Sequence, residues 1–329
     1  MILFVGARDE ASIHNVMDWL AHYGQDFKSV SHGELERLPY HIQISNEDVN
    51  IKFETDQKVP FQSAEVKSVW FRKKFLIRVP DLGDHLDKTV EENLEFYLKG
   101  ELSNLKDGII HCLSDKFWLG NPFINDINKT KSLLAAREAG FSIPATYIVK
   151  TKTELKELLD KQRLITKSIH GSLRLIMAHE TYLLYTSSVN KEVLEQIPDT
   201  FLPTLVQSHI EKEIELRVFV LENKIYAMAI FSQLDEQTST DFREYNWEKM
   251  NRMVPFSLPD EIQEKVLAFM KIIQLNTGSI DLILEKDTGR YVFLEINPTG
   301  QYGFVEDRCN YFLSREIAKT LIHGKSEST

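Results

Sequence analysis

Residues 279–301 read Ser-Ile-Asp-Leu-Ile-Leu-Glu-Lys-Asp-Thr-Gly-Arg-Tyr-Val-Phe-Leu-Glu-Ile-Asn-Pro-Thr-Gly-Gln. Two apolar runs flank a turn-like segment, Lys286–Arg290, so the spacing predicts a β-hairpin centred on Thr288. Asp281 and Glu295 each lie seven residues from that centre, which sets them opposite one another on a shared face. Side chains alternate along a strand, so Asn297 points the same way as Glu295. Two carboxylates held together repel unless one protonates or a cation intervenes. An all-oxygen donor set suits Mg²⁺, which keeps several waters and usually also binds substrate phosphates. The same spacing equally suits a surface hairpin with charged rims and an Asn-Pro turn after it.

Composition narrows the classes. With 329 residues, 43% hydrophobic and 27% charged, the chain is long enough for two or three domains with buried cores. No run approaches the roughly 18 apolar residues of a membrane helix, so no membrane partner is expected. A formal charge of −10 argues against nucleic acid as the main partner and leaves room only for a local basic pocket. The opening Met-Ile-Leu-Phe-Val-Gly-Ala-Arg-Asp-Glu reads as a first strand rather than a signal peptide. Cys112 and Cys309 are too few for a disulfide framework, lack metal-site spacing and suit a reducing cytoplasm.

The pattern along the chain predicts a mixed α/β (α+β) organisation in three parts: 1–120, 121–203 and 204–329. In the first part Ile2–Val5 and Val66–Phe71 read as strands, and Ser12–Tyr23 and Asp84–Leu105 as helices. In the stretch 125–144 a capping Asn or Asp opens a helix that Gly140 can close, with Pro144 beyond. In the middle part, strands at Tyr147–Val149 and Leu164–Lys167 alternate with helices at Thr153–Leu159 and Lys191–Gln196. Strand signals dominate from Thr204: Leu205–Ile210, Ile214–Val220, Ile225–Phe231 and the hairpin, with a helix at Asp260–Ile273. Residues 233–252 are polar and read as a long functional loop.

A metal–phosphate site needs cations. Lys129 falls in the first turn of its helix, beside backbone N–H groups that favour anions. Lys167 ends a strand before Ser-Ile-His-Gly171, a loop able to close over a phosphate. Taken singly, each lysine suits a solvated surface just as well. The stretch Leu205–Val220 has a hydrophilic bend between two strands. It can offer backbone groups to a base edge and an acid to ribose, or serve as a plain charged connector.

In order, these pieces resemble the ATP-grasp superfamily: Asn128-Lys129, Gly140, Ile-Pro-Ala-Thr146, Ile-Thr-Lys167, Val-Gln-Ser-His-Ile210, Glu-Leu-Arg-Val-Phe219, Asp281 and Glu-Ile-Asn297. The match spans about residues 118–300. The resemblance implies an ATP-grasp fold, with an N-terminal α/β domain, a central lid and a C-terminal antiparallel sheet. It also implies ATP and Mg²⁺ as cofactors. Carried over, Lys129 and Lys167 contact the α- and β-phosphates and Ile165 packs on the base. Gln207 and Ile210, with His209 between them, sit at the adenine edge. Glu215 holds the ribose, with Glu213 as the alternative. Asp281, Glu295 and Asn297 bind the metal. The loop after Lys167 has a single glycine where many relatives are glycine-rich.

A narrower resemblance covers most of the chain. Val-Trp-Phe-Arg-Lys73, Thr-Asp-Phe-Arg-Glu-Tyr245, Arg252-Met-Val-Pro-Phe-Ser-Leu-Pro259 and Gly-Gln-Tyr-Gly-Phe-Val305 resemble the microviridin-type and grasp-with-spasm maturases of graspetides. It implies a cytoplasmic, ADP-forming ligase, expected as a homodimer, whose partner is a ribosomal precursor peptide with a leader and an acidic core containing Ser/Thr or Lys. Its Asp or Glu side chains are activated as acyl phosphates and joined to Ser/Thr hydroxyls or Lys amines. Arg217 then stabilises the γ-phosphate, and Arg72, Lys73, Arg243 and Arg252 grip the core, since arginine binds carboxylates with paired hydrogen bonds. Asp241 orients Arg243 or acts as a base, and Gln301 positions the acceptor. The leader is expected along strands 214–231 and the insertion near 233–256, where Phe242, Tyr245, Trp247 and Met250 fit such a surface or a packed insertion. Cys309 reads as packing. Alternatives are an ATP-grasp carboxylate–amine ligase for small molecules, a non-catalytic peptide- or nucleotide-binding protein, and a small-molecule kinase.

Overall fold

The structure, a computed structural model, describes residues 1–6, 11–30, 40–53, 60–72, 79, 81–83, 86–124, 127–170, 174–177, 180–183, 186–234 and 250–324. The chain divides into two compact units, Met1–Asn125 with Phe312–Thr329, and Asp126–Tyr311. Among the described residues no helix is long and apolar enough to cross a membrane.

The first unit is built on a parallel sheet of β1 (Ile2–Val5), β2 (Phe27–Val30), β6 (Ser68–Phe71) and β7 (Phe117–Leu119), in the order β2-β1-β6-β7. All four residues of β1 and of β6 are buried, as expected of parallel strands covered on both faces. Helix α1 (Ala11–His22) buries Ile13, Val16 and Leu20, one helical stripe. A small antiparallel sheet of β3 (Tyr40–Ile44), β4 (Val49–Phe53) and β5 (Phe61–Gln62) adds to the same core. Helix α2 (Lys88–Cys112) starts after a cap at Asp87, whose carboxylate accepts from the Thr89 N–H. It continues past the expected end at Leu105, through Gly108, because Ile109 and Ile110 are buried in the core. Their packing outweighs the glycine penalty of roughly 1 kcal/mol. The C-terminal helix α8 (Leu313–His323) packs on α1 and β6, and Ser68 Oγ donates to the Leu321 carbonyl at 2.7 Å.

The second unit carries two larger antiparallel sheets. The four-stranded one has the order β12-β9-β13-β8, with β8 (Thr146–Thr151), β9 (Leu164–Lys167), β12 (Ser187–Val189) and β13 (Thr200–Ser208). Helices α4 (Lys152–Leu159) and α5 (Lys191–Gln196) cover one face, where Leu155 and Leu194 meet Val149, Leu164 and Val206. Strand β13 begins at Thr200, earlier than the sequence suggests, and carries Pro203. Its pairing with β8 is irregular between Thr200 and Thr204, which spares the proline a ladder bond it cannot donate. Strands β10 (Arg174–Met177) and β11 (Glu180–Leu183) form a separate pair. Helix α3 (Lys129–Glu138) opens on Asn128, whose side chain accepts from the Thr130 and Lys131 N–H groups. Gly140 follows its C-terminus at φ 87°.

The five-stranded sheet has the order β16-β15-β14-β17-β18: β14 (Lys212–Leu221), β15 (Lys224–Ile230), β16 (Met253–Phe256), β17 (Thr277–Glu285) and β18 (Tyr291–Asn297). Helix α6 (Asp260–Ile272) buries Ile262, Val266, Phe269 and Met270, and Phe269 meets Phe293 of β18. A short helix, α7 (Gly303–Cys309), follows β18. The hairpin is not symmetric about Thr288. Near the turn Leu284 faces Tyr291 and Leu282 faces Phe293, an offset of one from the expected pairing. A bulge then leaves Leu294 unmatched and restores the pairing of Asp281 with Glu295 and of Ser279 with Asn297.

Candidate functional site

Three neighbouring strands place Arg217 of β14, Asp281 of β17 and Glu295 of β18 in one cross-strand row. Arg217 is buried, and its Nη1 reaches both Asp281 oxygens, at 2.8 and 2.9 Å. Its Nη2 donates to the Gln301 carbonyl at 3.5 Å, and the guanidinium lies 5.7 Å from the Phe304 ring centre. Gly300 lets the loop after β18 come this close. A Cβ there would stand 2.2 Å from Ser279 Oγ, far inside contact distance. Asp281 and Glu295 line a cleft in this unit. Asn297 follows on the same strand face but is exposed, and its amide oxygen accepts from the Thr299 N–H at 3.1 Å. Among the described residues no three His, Cys, Asp or Glu side chains gather as a metal group. The donor set here is two facing carboxylates with an amide two residues on.

Glu215 lies two residues before Arg217 and lines the same cleft. Its buried carboxylate accepts from Lys212 Nζ and from Ser232 Oγ, the latter at 2.6 Å. Burial pushes its pKa up, while the Lys212 cation and the two hydrogen bonds oppose the rise. Glu213, the alternative acid, is exposed and lies outside the cleft lining.

The four-stranded sheet supplies the other wall. Ile165 and Lys167 of β9 and Gln207 of β13 line the cleft, with His209 and Ile210 in the connection to β14. Gln207 is fully buried, and its Nε2 donates to Thr146 Oγ1 at 2.8 Å. The His209 N–H donates to the Arg163 carbonyl at 2.9 Å. Its Nδ1 stands 3.6 Å from Glu211, too far for a hydrogen bond. Burial, then the Arg163 cation, push the imidazole below its ordinary value. Lys129 is the first residue of α3, and its Nζ donates to the Ser168 carbonyl, one residue past Lys167, at 2.6 Å.

Arg72 is buried in the first unit, with Nη2 3.4 Å from Ser12 Oγ and its guanidinium 5.8 Å from the Trp70 ring centre. Arg252 is exposed, over the Phe231 ring at 5.5 Å. Gln301 joins the site through its carbonyl, while the residue itself is exposed. Met250 is exposed. Lys73, Asp241, Phe242, Arg243, Tyr245 and Trp247 lie outside the described residues. Cys309 is buried and its thiol is pushed up to about 11 by that burial, so at neutral pH it is no thiolate. Sequence reasoning missed Lys212 and Ser232. A lysine between two glutamates gives no sign of being the buried one, and only the strand register turns it inward.

The RimK-like ATP-grasp domain family matches residues 126–321, more than half of the chain. This chain belongs to that family. Its whole length is similar to solved structures of ATP-grasp ligases. With the RiPP-associated ATP-grasp ligase of Chryseobacterium gregarium, in complex with ADP and a leader and core peptide, the TM-score is 0.84 at 23% identity, over 99% of this chain and 97% of that one. With the macrocyclase MdnC of Microcystis aeruginosa MRC, bound with precursor peptide MdnA, it is 0.77 at 27% identity, over 99% and 100%. With PsnB, complexed with a minimal precursor, Mg and ADP, it is 0.74 at 17% identity, over 98% and 96%. No curated protein matches the sequence. The fold is the α/β ATP-grasp architecture expected from the ordered motifs.

Proposed function

We propose that this chain is an ATP-dependent macrocyclase of ribosomal precursor peptides, acting as a homodimer in the cytoplasm. It joins Asp or Glu side chains of a leader-guided core to Ser/Thr hydroxyls as esters or to Lys amines as amides. The observation that carries the reading is the row Arg217–Asp281–Glu295, next to a cleft that Asp281 and Glu295 share with Lys167, Gln207 and Glu215. The full-length likeness to peptide-bound ligases supports a peptide rather than a free small molecule as substrate.

A carboxylate resists attack by an alcohol or amine because its leaving group would be oxide. Moving the γ-phosphoryl group of ATP onto that carboxylate releases ADP and gives an acyl phosphate. The hydroxyl or amine then attacks the carbonyl, expelling phosphate and losing its proton. Phosphoryl transfer asks the protein mainly for positioning and charge neutralisation. Lys129 and Lys167 hold phosphates, Glu215 accepts from the ribose hydroxyls, and Ile165 gives the base an apolar floor. Asp281 and Glu295, with the Asn297 amide, fit Mg²⁺ by donor chemistry. Bound there, the ion would neutralise phosphate charge. Arg217 already rests on Asp281, so its guanidinium is anchored where phosphate charge develops.

The test is conversion of a precursor peptide, encoded beside this chain and rich in Thr and Glu/Asp, followed by mass. Each ring formed removes one water. Glu295→Gln is expected to lower ATP-dependent dehydration at least about a hundredfold while leader binding stays near wild type. Undiminished product would remove Glu295 from the mechanism.

A further inference from the structure

Gln207 can present either end of its amide to the cleft, and its neighbours decide which. Thr146 sits directly opposite on β8, and its single hydroxyl proton is directed at the Pro144 carbonyl, at 2.9 Å. A carbonyl can only accept, so that proton is committed, and what Thr146 Oγ1 offers Gln207 is a lone pair. Gln207 must therefore turn its NH₂ group toward Thr146, as the 2.8 Å contact shows. Among the described residues its Oε1 is then left buried with no partner, in a residue that lines the cleft. A buried acceptor without a donor is a rare arrangement and looks to a ligand for its completion. Ile165, opposite Gln207 on the other neighbouring strand, gives an apolar surface beside it.

We infer that Thr146 is a specificity-determining residue. By locking the amide of Gln207, it makes the base site demand an N–H donor at that edge. The inference rests on the nucleotide-binding reading above. The exocyclic amine of adenine supplies the donor. Guanine carries a carbonyl oxygen at the same ring position, so two acceptors would face each other. Turning the amide over for guanine would set Oε1 against Thr146 Oγ1, or pull the hydroxyl from Pro144. Thr146 acts through Gln207 and has no need to touch nucleotide.

The test measures equilibrium binding of ATP and of GTP, each with Mg²⁺, to the full chain by calorimetry. Wild type, Thr146→Val and Thr146→Ser are compared. Valine keeps the shape and removes the relay, and the ATP-over-GTP preference is expected to fall roughly tenfold. Serine keeps the hydroxyl and the preference. If Thr146→Val weakens both nucleotides equally, or leaves the ratio unchanged, Thr146 is a packing residue and the inference fails. Should that variant not fold, wild type is compared on ATP and on purine riboside triphosphate, which lacks the exocyclic amine. Equal affinity for these two overturns the inference, and roughly tenfold weaker binding of the second supports it. A wild type that binds no nucleotide would instead sink the proposed function.

Discussion

The two large sheets of the second unit both hold polar groups at one cleft, by different means. In the five-stranded sheet charge is held by charge on two central strands, Arg217 on Asp281 and Lys212 on Glu215, with the Ser232 hydroxyl from the turn after β15 also on Glu215. In the four-stranded sheet neutral groups are held by neutral relays, Gln207 on Thr146 and Thr166 Oγ1 on the Leu205 carbonyl. Lys129, at the start of α3, rests on the Ser168 carbonyl just past β9. The difference follows from burial. An ion on a central, covered strand needs a counter-ion to be tolerated, so those side chains support the fold as well as the site. On the four-stranded sheet these polar groups can change without exposing a buried charge.

The sharpest way to break this comparison is to remove one ion. Arg217→Met removes the buried cation that grips both Asp281 oxygens and should lower unfolding free energy by about 3 kcal/mol, read from a urea titration. Replacing both, as Arg217→Met with Asp281→Leu, should recover most of that loss, because no charge is stranded. A double variant as unstable as the single one would show that shape, not charge, holds this sheet together.

Next comes the loop that meets Arg217 from above. Gly300→Ala places its Cβ 2.2 Å from Ser279 Oγ and 2.7 Å from the Ser279 nitrogen. The loop must lift, costing about 1–3 kcal/mol and drawing the Gln301 carbonyl off Arg217. At the start of α3, Lys129→Met should change stability by no more than about 0.5 kcal/mol. Nucleotide affinity should nevertheless weaken roughly tenfold, as for a lost charge-assisted contact. If Lys129→Met destabilises as much as Arg217→Met, a cation on a backbone carbonyl and one on a buried counter-ion do not differ in kind.

What the sequence made legible divides along the same line. Asp281 and Glu295 stand out because acids interrupt apolar strand runs and alternation fixes their faces, and Lys129 and Lys167 because they stand at a helix start and a strand end. The register of Asp281 with Glu295 was readable from their equal distance to Thr288. The bulge at Leu294 was not, since no residue there signals an extra position. Thr146 and Ser232 were invisible as site-builders, because a hydroxyl acts through its partner and the partner lies in another strand. The extension of α2 over residues 106–112 and the pairing of α8 with α1 are likewise tertiary, set by which core the apolar residues meet.

The far end of the hairpin gives the smallest effect and the cleanest control. Glu285 accepts from Arg290 Nε at 2.7 Å and from Thr288 Oγ1, an ion pair at the exposed turn of the hairpin that carries Asp281. The Arg290 hydrogen bond, then that of Thr288, hold the Glu285 carboxyl below its ordinary 4.5. A depressed folded pKa stabilises the fold fully above 4.5 and ceases to do so as pH falls through the folded value. Arg290→Ala should therefore lower Tm slightly at pH 7, with the difference vanishing as the solution is acidified below 4.5. Solvent and salt screen this pair, so the neutral-pH difference should also shrink on raising ionic strength, whereas that of Arg217→Met should persist. If the turn variant proves as costly as the buried one, burial is not what gives Arg217 its weight.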